Sequence, residues 1–210
     1  MSIDSIKNKI DKAYNKLDGY SVNRSGDNAP KNVVETYGEL TINGFIKLLG
    51  DKSWKGYNFY DLGSGVGKVV VYSHLLKDFD KSIGVEFNKE RHNKAKTAQK
   101  KLTFKVKIKK NRKSRKNNRR KLIFNRGTMF NKKYFDNKKS SVYFISNLCF
   151  TEEMNKQLAI YFNKYRLKPG INTIIFCSKE LPNLKFISKD ILSVEMTWSS
   201  DSTIYKYLIN

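Results

Sequence analysis

The chain has 210 residues, 39% hydrophobic and 13% aromatic, which is enough for one domain with a sizeable core and too apolar for a disordered chain. No apolar run approaches the ~20 residues of a membrane helix. The start, Met1-Ser-Ile-Asp-Ser-Ile6, lacks the charged-then-apolar pattern of a signal peptide, and Cys149 and Cys177 have no metal-ligand spacing, so a reducing compartment is expected. The formal net charge of +23 predicts attraction to a polyanion that weakens as salt rises.

Taken in chain order, Ile3, Ile6, Ile10, Tyr14 and Leu17 recur at helical spacing and predict an amphipathic helix over 2–17. Residues 19–30 are polar and contain glycine, hence a loop. After a short transition over 33–40, residues 41–49 read as a second helix closed by Gly50. Strands are then expected at 57–62, 82–86, 122–126, 142–146, 171–177, 191–198 and 203–209, with helices at 67–77, 88–104 and 151–165. Strands separated by helices predict a parallel, doubly wound sheet. Only Ser199-Ser-Asp-Ser202 parts the last two strands, short enough for an antiparallel hairpin. The expected organisation is a helical extension and covering loop over 1–52 and an α/β, Rossmann-like seven-stranded core over 53–210, with helices on both faces.

Within that core, residues 101–121 hold twelve Lys or Arg and no acid. The stretch Lys109-Lys110-Asn-Arg112-Lys113-Ser-Arg115-Lys116-Asn-Asn-Arg119-Arg120, followed by Lys121, has no apolar residue before Leu122 and cannot bury itself. Without interleaved aromatics it suits phosphates rather than base stacking, so nucleic-acid contact is expected there; a solvated run, or one that serves only nuclear import, is the plainer alternative. His74 and His92 lie on helix-like segments and read as packing or surface residues.

The segment with the most chemistry is Asp61-Leu-Gly63-Ser64-Gly65-Val-Gly67-Lys68, between an apolar run and a helix-like one. Glycines at alternate positions let a ligand lie against the backbone. A second apolar run, Ser82-Ile-Gly-Val85, ends in Glu86, placed as the acid that takes the two hydroxyls of a ribose in Rossmann-like sheets. A phosphate-binding P-loop fails here, because Leu62 stands where its first glycine belongs and Val69 where its Ser or Thr belongs. A dinucleotide fingerprint needs G-x-G-x-x-G, and Asp61 would repel a pyrophosphate. S-adenosylmethionine, with its sulfonium and α-amino group, fits Asp61 and Glu86 better than either, or than a ligand-free turn. The ligand in such a sheet sits at the carboxyl ends of the strands, which gathers Asp61 to Gly67, Glu86, Thr128 and Asn147 around one crevice. Five alternating units and a terminal hairpin match the class I methyltransferase architecture.

With these residues assembled, the chain resembles the non-SET histone-lysine methyltransferases of the disruptor-of-telomeric-silencing type, from about residue 33 to the C-terminus. Tyr37-Gly38-Glu39-Leu40 is similar to the family's Y-G-E motif, a loop over the cofactor's methionine part. Residues 61–68 match its cofactor loop except at Lys68, where Gln is usual. Ser146-Asn147-Leu-Cys-Phe150 resembles N-N-F-A-F, and Trp198 with Tyr205 resembles the W-(x)6-Y near the lysine channel. The resemblance implies cofactor contacts from Tyr37, Gly38 and Glu39, a hydrogen bond from Asn147 near the reacting centre or to the cofactor, and a catalytic channel lined by Phe150, Trp198 and Tyr205. It departs after the third strand. Gly127-Thr128-Met129 replaces G-D-F, so the adenine amino group would meet the Thr128 hydroxyl and the ring would meet Met129.

The resemblance implies methylation of a histone lysine in nucleosomes, in a nucleus. Family members carry a basic nucleosome-binding segment outside the catalytic core, whereas here the basic run lies inside it, before the third strand, and is expected to hold DNA. The lean toward Lys and Asn suits an AT-rich viral or parasite genome, which would make the nucleus that of a host. Two other classes compete. A nucleic-acid methyltransferase of exocyclic amines would carry Pro-Pro after the fourth strand, which Asn147-Leu-Cys-Phe150 lacks. A non-catalytic chromatin binder is favoured by Thr128 and Lys68 and opposed by the intact Asp61, Glu86 and Asn147.

Overall fold

A computed structural model describes residues 2–20, 22, 38–104, 120–136, 138–165 and 170–209. Tyr37 and most of the basic run, Lys109 through Arg119, lie outside the described residues.

The elements are α1 (Ile3–Tyr14), α2 (Ile42–Leu49), β1 (Asn58–Leu62), α3 (Lys68–Leu76), β2 (Lys81–Glu86), α4 (Lys89–Phe104), β3 (Lys121–Arg126), a 3-10 turn (Lys132–Tyr134), β4 (Ser141–Ile145), α5 (Glu152–Lys164), β5 (Thr173–Cys177), β6 (Ser188–Met196) and β7 (Ser199–Ile209). The seven strands form one sheet in the order β3-β2-β1-β4-β5-β7-β6. Pairing is parallel from β3 to β5, and β7 is antiparallel to both β5 and β6. Chain order reverses between β1 and β4, which opens a crevice at their carboxyl ends.

Strands covered on both faces read as unbroken apolar runs, yet side chains still alternate. Phe59, Val142, Phe144, Ile174 and Phe176 face one cluster with Ile6, Ile10, Tyr14 and Phe45. Tyr60, Tyr143, Ile145 and Ile175 face the other with Leu158 and Phe162 of α5. The N-terminal helices therefore share a core with α3, α4 and the sheet. Phe45 is fully buried, so Phe45→Ala should cost about 3–5 kcal/mol.

Helix starts follow their caps. The hydroxyls of Ser2, Thr41 and Thr151 accept from the N–H groups of Ser5, Gly44 and Met154, satisfying donors the helix leaves open. The first helix is shorter than its apolar spacing predicts: it ends at Tyr14, with Lys16 in left-handed backbone at φ 64°. The final hairpin also differs. Ser199 to Ser202, expected as the linker, is strand, and the turn is Thr197-Trp198, with Met196 opposite Ser199. Cross-strand pairing, with an Asp201–Ser193 side-chain hydrogen bond, overrides the low strand preference of Ser and Asp. No described helix is long and apolar enough to cross a membrane.

Candidate active site

The first strand carries Asp61 to the crevice, and the chain then turns through the glycine loop into α3. Gly63, Gly65 and Gly67 all have positive φ (91°, 53° and 85°), a region where a side chain is strained. A Cβ on Gly67 would also lie 2.3 Å from the Phe124 ring. The loop is tied to the end of β2: Gly63 N and Ser64 N both donate to Val85 O at 2.9 Å, and Gly65 N donates to Glu86 Oε2 at 2.7 Å.

Glu86 is buried, and its Oε1 accepts from Asn88 N at 2.7 Å. A carboxylate can accept about four such bonds, which is chemistry a ribose diol can use. Asp61 is 3% exposed, and among the described residues no ion pair reaches it. Burial, and after it the charge of Glu86, pushes the Asp61 carboxyl well above the usual carboxylate range. A cationic ligand would relieve that strain. Ser64 Oγ is buried without a hydrogen-bond partner among the described residues and packs against Gly84 of β2. These features fit S-adenosylmethionine: Asp61 toward the cationic methionine end and Glu86 toward the ribose.

The Gly38-Glu39 segment is held against the site from two sides. Glu39 N donates to Thr197 Oγ1 at 3.0 Å, Thr197 N donates to Glu39 O at 2.8 Å, and Leu40 bridges Met196. Trp198 lies over Gly38 so closely that a Cβ there would be 1.8 Å from its ring. On the other side Glu39 Oε2 meets Lys68 Nζ at 2.5 Å. Lys68 also lies 5.7 Å from the Tyr14 ring centroid, and Tyr14 Oη donates to Val66 O at 3.1 Å inside the loop.

Asn147 is fully buried at the end of β4. Its Nδ2 donates to Asn155 Oδ1 at 2.7 Å and to Lys179 O at 3.0 Å, and its Oδ1 accepts from Lys179 N at 2.8 Å. The amide therefore fastens β4 to α5 and to the segment after β5. Phe150 packs onto the glycine loop, 3.4 Å from where a Gly63 Cβ would sit. Phe150, Met129 and Tyr205 border the α5-side cluster, and Tyr205 stands opposite Cys177, while Trp198 belongs to the clasp over Gly38. Thr128 is exposed, and its hydroxyl accepts from Phe130 N at 3.2 Å; Gly127 N donates to Glu86 O.

Three residues that hold the site escape a reading of motifs. Tyr14 counts only as an apolar helix position until its hydroxyl is seen on the loop. Thr197 carries no pattern. Asn155 did leave a signal: it shares one helical stripe with Leu158, Ala159 and Phe162, where a polar side chain implies a buried hydrogen bond.

Sheet order, glycine loop and paired acids define a class I, S-adenosylmethionine-dependent methyltransferase. The family model described as histone methylation protein DOT1 matches residues 28–202, and the chain belongs to that family. No curated protein matches. Solved methyltransferases share the fold at low identity. The METTL16 MTase domain aligns at TM-score 0.54 and 11% identity, over 80% of this chain and 65% of that one. The B. subtilis M1A22 tRNA methyltransferase TrmK aligns at 0.50 and 12%, over 81% and 67%. TrmN from Thermus thermophilus aligns at 0.50 and 12%, over 80% and 47%. The aligned part is thus about two thirds or less of each of those chains.

Proposed function

We propose that the protein methylates a lysine side chain of a histone in nucleosomes. The carrying observation is the family match over residues 28–202, and the way Gly38-Glu39 packs on Trp198 beside the glycine loop supports it.

S-adenosylmethionine supplies an activated methyl on a sulfonium. The chain's own residues must hold the donor and deliver an uncharged amine in line with it. Asp61 neutralises cationic charge at the donor's methionine end, and Glu86 fixes the ribose. Phe150, Trp198 and Tyr205 are the aromatic groups proposed to flank the incoming lysine. Removing a lysine from water lowers its pKa and favours the neutral amine, so the pocket itself prepares the nucleophile. Asn147 acts as a positioning residue, because it keeps Phe150 and the segment after β5 in place.

The test is methyl transfer from labelled S-adenosylmethionine to nucleosomes, free core histones, naked DNA and RNA in parallel. Label on a histone lysine in nucleosomes is expected. Label confined to nucleic acid would overturn the proposal.

A further inference from the structure

Among the described residues, a groove of about 910 Å³ lies between α1 and the end of α4. Lys9, Lys12, Lys100 and Lys101 line it, with Asp4 as the acid and Asn8 as a further polar group. Beyond α1 the chain is tied to α4: Lys101 Nζ donates to Asn15 O at 3.3 Å and Lys94 Nζ to Asp18 O at 2.9 Å. The 16 residues of α4 span about 24 Å. They run from beside Glu86 back to the amino-terminal edge of the sheet. The α4 wall of the groove is therefore remote from Glu86, while α1, its other wall, ends at Tyr14 beside the glycine loop.

Positive potential continues past the groove. His74, in the last turn of α3, has its pKa lowered to about 4 by burial, then by the charges of Arg120 and Lys9. The charges of both cations are therefore felt at one imidazole. Arg120, whose guanidinium donates to Lys77 O, is also where the basic run re-enters the described chain. Lys9, Lys12, Lys100 and Lys101 thus share one groove.

We infer that this α1–α4 groove binds the phosphate backbone of a nucleic-acid duplex, as a docking surface separate from the catalytic crevice. The groove's chemistry selects this partner. Among the described residues its lining contains no aromatic side chain, so they offer no platform for unpaired bases. The apolar stripe of α1, from Ile6 to Tyr14, is buried in the core, so the helix has no face to insert into a lipid surface. Lysines on both walls suit sequence-independent phosphate contact. The inference builds on the nucleosome reading by giving DNA a second hold outside the basic run.

The experiment measures fluorescence anisotropy of a short labelled DNA duplex across a salt series. The chain and its Lys9→Gln/Lys12→Gln variant are compared, each with and without neutralisation of the basic run from Lys109 to Lys121. Losing two phosphate contacts should weaken binding on the order of tenfold at low salt and flatten the slope of log affinity against log salt by about 2. Lys9→Arg/Lys12→Arg should bind as the parent does, and unchanged melting shows that each variant folds. Equal affinity and slope in parent and Gln variant, in both backgrounds, overturns the inference. So does polyglutamate that displaces the duplex as well as unlabelled DNA does at equal charge, since the groove would then fit an acidic protein. Transfer to nucleosomes is a separate readout: its absence with duplex binding intact counts against the nucleosome reading alone.

Discussion

Lys68 Nζ and Glu39 Oε2 stand 2.5 Å apart, and this ion pair joins the segment that leads into α2 to the first residue of α3. Glu39 is buried and Lys68 partly so. Removing Lys68 takes a cation from a buried carboxylate, which is costlier than losing the attraction alone. Lys68→Met should lower stability by about 1–3 kcal/mol and weaken S-adenosylmethionine binding. Lys68→Gln, which can still donate a hydrogen bond, should lose less of both. Calorimetric titration and thermal melting of the parent and the two variants check this, and variants that behave as the parent does would show that the charge on Lys68 is immaterial.

Asp61 gives the site a pH dependence with a definite sign. Its folded pKa is raised by burial and by Glu86, so the folded state holds a proton that the unfolded state releases at lower pH. The stability tied to that proton is present below the ordinary carboxylate pKa of about 3.9. It is lost as pH rises through the raised value. Asp61→Asn should therefore melt higher than the parent near neutral pH, with the gap closing as pH falls toward the ordinary carboxylate range. The same variant should bind S-adenosylmethionine at least about tenfold more weakly, because a buried charge partner is gone. Melting without cofactor across a pH series, beside calorimetry, separates the two effects. A variant melting lower than the parent at neutral pH would contradict the assignment.

Tyr14 offers a test of support from outside the core motifs. Its hydroxyl donates to Val66 O, and burial, followed by Tyr72, Glu39 and Asp61, raises its pKa, so it stays protonated and donating. Tyr14→Phe removes one hydrogen bond, about 0.5–1.5 kcal/mol, and keeps the ring in the core. Cofactor affinity should fall while melting changes by only a few degrees. A normal affinity would show that the loop keeps its shape without α1.

Much of this was legible in the sequence, because strand–helix alternation and the glycine loop are local patterns. The apolar runs at β1, β4 and β5 and the acids Asp61 and Glu86 could be placed from spacing alone. The hairpin turn could not, since Trp198 looks like a strand residue and Ser199 to Ser202 like a linker until their partners on β6 are known. Asn147 showed the limit for site residues. Its position at the end of β4 was readable, but its bonds to Asn155 and Lys179 cross 8 and 32 residues of chain and leave no spacing rule. The clasp of Gly38-Glu39 by Thr197 and Trp198 spans about 160 residues and is equally invisible before folding.

That clasp yields the most specific prediction. A Cβ on Gly38 would meet the Trp198 ring at 1.8 Å, and Trp198 is 45% exposed, so the ring rather than the backbone is free to give way. Gly38→Ala should push the indole off its seat, disturb Glu39 through its bonds to the adjacent Thr197, and lower methyl transfer. Trp198→Ala removes the collision and also one proposed wall of the lysine channel, so it should lower transfer by itself. Adding Gly38→Ala in that background should then cost little more. A double-mutant cycle on transfer rate and on melting measures this directly, with a coupling of about 1 kcal/mol or more expected for residues in contact. Additive effects would mean that Gly38 matters for its backbone alone and that Trp198 does not govern the position of Glu39.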